Sequence, residues 1–131
     1  MNNSEKIKKR YQEANVIGYT FSDIQTNIVR IDTPHRDLNS DSIILYAEFH
    51  NDIIIISDAG WSLDNIESTG ITVNSKTIVK IKDFIKDSNV MLSTSTDYNL
   101  FVPSNLHNIV DNINKLLITI KSIESLLTTQ Q

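Results

Sequence analysis

The sequence predicts an α+β domain: an antiparallel sheet of four to five strands, with an N-terminal helix and a long C-terminal helix packed on it. Three observations point there. Two β-rich runs, "SIILYAEF" and "IIIIS", are separated only by the polar turn "HND", which is a hairpin pattern. An apolar stripe near the C-terminus recurs at alternating intervals of three and four residues. The first fifteen residues are polar, with a sparse apolar face of helical spacing.

The elements follow in chain order. A helix is expected over 4–15, with Ser4 as N-cap, Ile7, Tyr11 and Ala14 on one face, and Gly18 just past the end. A strand is expected over 27–33. Ile28, Arg30 and Asp32 share one side of it, Val29 and Ile31 the other, and Pro34 ends it for want of a ladder donor. In the next strand Ile43, Leu45, Ala47 and Phe49 face one way, and Ile44, Tyr46 and Glu48 the other. The isoleucine-rich strands suggest burial on both faces, in a central position. After Gly60 a short helix is expected, capped by Ser62, with Leu63 and Ile66 inward and Gly70 as its stop. A helix over 75–87 carries the stripe Ile78, Ile81 and Ile85. Two further strands, "VMLSTS" and "YNLFVP", are expected around Thr96-Asp97, the second stopped by Pro103.

The last element has the plainest pattern. Leu106, Ile109, Ile113, Leu116, Ile120, Ile123 and Leu127 fall at heptad a/d spacing, and Ser104 is a suitable start. A helix of about 22 residues would be roughly 33 Å long, more than a domain of this size needs for its own core. Leu106, Ile109, Ile113, Leu116, Ile120 and Ile123 are therefore candidates for a seam with a second copy. A long core helix is the alternative.

The chain has 131 residues, the size of one domain, and is expected to fold as a single unit over 1–131. It contains no cysteine, which removes disulfides, thiolate metal sites and cysteine nucleophiles together. The N-terminus lacks the apolar segment of a signal peptide. No apolar run approaches the ~18 residues of a membrane span. A soluble protein of the cytoplasm is expected, with no membrane association.

Neither a GxGxxG nor a phosphate-cradling GxxxxGK[ST] pattern occurs, so no nucleotide cofactor is expected. The three histidines, His35, His50 and His107, show no metal-ligand spacing. His35 and His50 flank a strand near Asp37 and Asp41, but surface loops explain them as well, and no metal is expected. No serine sits on a nucleophile-elbow pattern. One enzymatic alternative stays open: a divalent-metal nuclease using Asp41, Glu48 and Asp58. Its weakness is that the acidic region holds no lysine.

The net charge of −4 is unevenly spread. Residues 1–22 hold four basic groups and two acids. Residues 23–67 hold two arginines against nine acids, a balance of −7. Residues 68–131 hold six lysines and five acids. A surface of that sign repels nucleic acid and attracts basic protein. Asp37, Asp41, Glu48, Asp52, Asp58 and Asp64 are the candidate partner-contacting acids. For Asp58, in "SDAGW", a second role is open: accepting turn amides where a strand hands over to a helix, beside Gly60 and Trp61.

Residues 33–70, "TPHRDLNSDSIILYAEFHNDIIIISDAGWSLDNIESTG", resemble the prokaryotic family catalogued as domain of unknown function 1828. The matching positions are Thr33, Pro34, Asp37, Asn39, Asp41, Asp58, Gly60, Trp61, Leu63 and Gly70. Two positions depart: Ala59 stands where the family's turn carries a second acid, and His35 replaces the usual aromatic. The resemblance implies a bacterial or phage source among mobile-element proteins, and it brings no established reaction.

The expected function is binding, not catalysis. The acidic region would dock on a basic surface of a host protein, such as a defence nuclease inhibited in the manner of an anti-CRISPR protein, with carboxylates standing in for DNA phosphates. A metal-dependent nuclease and a dimeric scaffold or regulatory protein are the alternatives.

Overall fold

The computed structural model describes residues 1–94 and 97–129. The chain runs α1 (Asn3–Glu13), β1 (Thr20–Gln25), β2 (Ile28–Arg36), β3 (Ser42–His50), β4 (Ile53–Ser57), α2 (Trp61–Ser68), α3 (Ser75–Ile85), β5 (Met91–Ser93), β6 (Asn99–Ser104) and α4 (Ile109–Thr128). The strands form one antiparallel sheet in the order β1-β2-β3-β4-β6-β5. The fold class is the expected one, but the sheet has six strands. The unforeseen strand is β1, where only Phe21 packs against the core, so it shows no alternation. Thr96, in the expected β5–β6 turn, lies outside the described residues.

Caps and ends depart from expectation in instructive ways. Asn2, not Ser4, caps α1: its side chain accepts the Glu5 amide at 2.9 Å. Ser4 instead donates its hydroxyl (2.6 Å) and its amide (3.1 Å) to Asp23, tying α1 to β1. Ala14 is exposed, leaving Ile7 and Tyr11 as the inward face of α1. Helix α2 begins at Trp61 with Gly60 in the cap position, and Ser62 is buried inside its first turn. Gly70 ends α2 region as expected, with a positive φ. Helix α3 is started by a reciprocal Asn74–Thr77 capping box.

Both prolines lie inside strands instead of ending them. Pro34 falls in an irregular stretch of the β2–β3 ladder, between Asp32 and Arg36. Pro103 lies beyond the last residue of β6 that β5 covers, Phe101, so β6 is a free edge there. A residue without an N–H is tolerated at both kinds of place.

The core lies on one face of the sheet. Val29, Ile31, Ile43, Leu45, Ala47, Ile54, Ile56, Leu100 and Val102 supply its floor, and buried residues of all four helices supply its roof. Burial of β4 on both faces, as its isoleucines suggested, is not found: Ile54 and Ile56 are buried, while Ile53 is 54% exposed.

Helix α4 has 20 residues, because Ser104 belongs to β6 and the helix starts only at Ile109. Its stripe is the centre of the chain's own core: Ile109, Ile113, Leu116 and Ile120 are fully buried and Ile123 is 1% exposed. Leu106, before the helix, packs partly buried against the same core. The candidate dimer seam is thus corrected, since these side chains are already covered within one copy. Full burial of each contributes about 1.5–3 kcal/mol.

Ile113→Ala should therefore cost about 2–5 kcal/mol in urea unfolding, with a midpoint independent of protein concentration. A midpoint that rises with concentration would put Ile113 between copies instead.

Candidate functional site

The strand period of two decides what the second face of the sheet presents. If Ile54 and Ile56 point inward, Ile53, Ile55 and Ser57 must point outward. The ladders extend this across the sheet in rungs. One rung runs Ser22, Arg30, Tyr46, Ser57, Phe101 and Met91. The next runs Ile28, Glu48, Ile55 and Pro103. The buried residues of the helices belong to the core on the other face. Helices α3 and α4 reach this face only at its margins, where Lys82 and Ile85 share a concavity with Met91 and Phe101, and Asp111 and Lys115 one with Ile53 and Pro103. Antiparallel sheets often leave one face to water, but that face is normally polar. Here isoleucines recur on it, with Ile24 49% and Ile53 54% exposed and Met91 43% exposed.

The charges on this face are partly spent on one another. Arg30 forks onto Asp32, with Nη2 to Oδ1 at 2.9 Å and Nε to Oδ2 at 3.2 Å. Glu48 meets His50 at 3.0 Å. Between β1 and β6 the face dips into a cup of about 280 Å³, whose lining includes Ile24, Ile28, Tyr46, Glu48, Ile55 and Asp97.

The six candidate acids do not gather. Asp37 is 8% exposed and Asp58 fully buried, and both serve turns. Asp37 Oδ1 accepts the amides of Asn39 (2.8 Å) and Asp41 (3.0 Å), while Oδ2 accepts the Asn65 amide group at 2.9 Å. The remaining four are on the surface, in two groups. Asp41 lies before the start of β3, and Asp64 is beside Asn65, which bonds to Asp37 at that end. Glu48 and Asp52 lie at the other end of β3, a strand of nine residues and so roughly 27 Å long at about 3.4 Å per residue. Only Glu48 lies on the open face. A continuous row of carboxylates is absent among these six. Asp41, Glu48 and Asp58 are likewise not brought together, and among the described residues no group of three or more His, Asp or Glu side chains gathers to hold a metal ion.

The histidines do not converge either. His35 meets the Tyr19 hydroxyl at 3.2 Å, and burial, then Lys121, holds its pKa below the usual value. His50 and His107 are exposed.

Asp58 answers the structural alternative. Its Oδ1 accepts the amides of Gly60 (2.8 Å) and Leu100 (3.0 Å), joining the end of β4 to β6. Ala59 and Gly60 both have positive φ, 55° and 86°, and a Cβ on Gly60 would stand 3.0 Å from Asn99 Oδ1. Trp61 then reaches back, its indole N–H donating to the Ile44 carbonyl at 2.8 Å. Burial pushes the Asp58 carboxyl above the usual carboxylate range, against the pull of Ser62, Gly60 and Leu100. The Ser62 hydroxyl sits by the carboxyl without good hydrogen-bond alignment, leaving Asp58 Oδ2 and Ser62 Oγ buried and unpartnered.

Two polar residues had no sequence signal. Glu124, on α4, accepts the Leu38 amide at 3.2 Å, and Asn65 holds Asp37 from α2. Burial, chiefly, raises the Glu124 pKa, with Asp37 adding to the rise. Ile53 and Ile55 did have a signal: they are the second apolar set of β4.

The chain matches the family described as "Domain of unknown function DUF1828" over residues 33–123. That is more than half of its length, and the chain belongs to this family. The match starts within β2 and ends within α4, leaving α1 and β1 outside it. No curated protein and no solved structure matches the chain.

A raised carboxyl pKa means that the unfolded chain ionises first as pH rises. The Asp58 contribution to stability is then full below the unfolded value of 3.8 and lost as pH climbs through the folded one. Asp58→Asn keeps the Oδ1 acceptor and removes the charge. Its urea-unfolding stability should fall less than that of the unaltered chain as pH rises above the unfolded carboxylate value of 3.8. Parallel curves would show that this carboxyl carries no charge penalty.

Proposed function

We propose that this chain is a protein-binding module that docks the open face of its sheet on a basic protein. The observation that carries the proposal is the unpartnered, isoleucine-rich sheet face. Partly exposed apolar side chains rimmed by polar ones mark surfaces that associate. The net charge of −4, with Glu48 on the face itself, favours a partner of opposite sign. A host protein with a nucleic-acid groove, inhibited by being covered, is the form of partner this chemistry suits. The contact is then a mixed apolar and acidic surface, not a row of phosphate-like carboxylates. Among the described residues no helix is long and apolar enough to cross a membrane.

A photo-crosslinking residue at Ile53 should capture a discrete protein in the source cells, identified by mass spectrometry and basic on its contact surface. The same residue at Ile118, which is 57% exposed on α4, should not. Ile55→Lys should abolish the adduct at position 53. Equal adducts from both positions, or adducts only between copies of this chain, would remove the proposal.

A further inference from the structure

The sheet face is not uniform, and the concavity at its centre has a definite chemistry. The cup of about 280 Å³ lies across β1 to β6. Its apolar wall is Ile24, Ile28 and Ile55, its aromatic is Tyr46, and its acids are Glu48 and Asp97. Ile28 stands opposite Glu48 across one ladder, and Glu48 opposite Ile55 across the next. A carboxylate is therefore held between two isoleucines.

An aliphatic wall, an aromatic ring and carboxylates are what a long basic side chain needs. Its methylene stem buries against apolar surface while its charged head stays at the polar edge. A guanidinium can also lie against a ring and fork onto a carboxylate. We infer that this cup receives an arginine side chain of the partner protein, an inference that rests on the docking role proposed above.

The neighbouring charges agree. Arg30 is the basic side chain nearest in the ladder, opposite Tyr46, and it is neutralised by its own fork onto Asp32. It therefore leaves the acids of the cup uncancelled. Glu48 touches His50 at 3.0 Å, but both are solvent-exposed, and such a pair contributes little and yields readily to a competing cation. A second copy of this chain would set the same acids against themselves, and a phosphate backbone would be repelled. A basic side chain is the occupant that gains from the isoleucines, the tyrosine and the two carboxylates of the lining together.

The test uses the intact chain with its isoleucine methyls carbon-13 labelled. The probes are N-acetyl-arginine methylamide and its uncharged isostere, N-acetyl-citrulline methylamide. The arginine probe should shift the methyls of Ile24, Ile28 and Ile55 saturably, at a concentration on the order of millimolar. Citrulline should bind about tenfold more weakly or worse. The double variant Glu48→Gln, Asp97→Asn should lose the arginine preference while its other methyl signals stay in place, since both side chains are at the surface and neither is part of the core. Equal shifts by the two probes, shifts elsewhere, or an unchanged preference in the double variant would overturn the inference. The two ideas fail separately. Crosslinking at Ile53 without arginine binding sinks the cup and leaves the docking face. Arginine binding without a crosslinked protein does the reverse.

Discussion

The constraint on which the rest depends is that the core has only one side. Four helices are laid on one face of a six-stranded sheet, and α4 fills the middle of that layer. Its isoleucines and leucines sit against β4 and β6 and share one core cluster with the inward residues of β2 and β3, so the heptad-like spacing is spent within the domain. A helix spanning the layer needs apolar residues along its whole length, and that demand produces the same pattern as a seam between copies. Because the buried residues of all four helices join one core cluster, the centre of the other face, around Ile28, Tyr46 and Ile55, is left without a helix among the described residues.

Acids are drawn inward at the places where strands hand over to other elements. Asp58 gathers the amides of Gly60 and Leu100, and Asp37 gathers those of Asn39 and Asp41. Each satisfies backbone donors that a tight turn would otherwise bury unpaired. Leu38, in the same loop as Asp37, is tied to Glu124 on α4. The acidic third of the chain is thus less acidic at its surface than its composition implies. What remains outside is divided between the two ends of the sheet.

The two findings meet on the open face. Outward isoleucines are costly to leave in water, at roughly 25 cal/mol per Å² of apolar surface, and a monomeric sheet has no structural use for them. Their neighbours are a self-neutralised Arg30–Asp32 pair and the acids Glu48 and Asp97. The face is therefore apolar first and acidic second. That order distinguishes a protein-docking sheet from an imitation of nucleic acid, in which charge would dominate.

The sequence by itself determined the α+β class, the β3–β4 hairpin, α1, the Gly70 stop and the long apolar stripe of α4, because each is a local periodicity or a local turn chemistry. The same local patterns hid other elements. The β1 strand has one inward apolar residue, Phe21, since Asp23 fills the next inward place, and so no alternation to read. Pro34 and Pro103 looked like strand ends because sequence does not show which ladder edge is free. Tertiary structure alone decided the function-bearing features. Alternation told that β4 had two apolar sets, Ile54 and Ile56 against Ile53 and Ile55, but not that the helices would bury only one. Proximity in sequence placed Asp37, Asp41, Glu48, Asp52, Asp58 and Asp64 in one acidic region, whereas a strand carries neighbours far apart and a turn takes acids inside. Which side chains share a surface is a property of packing between distant segments, and it appears only when the chain is folded.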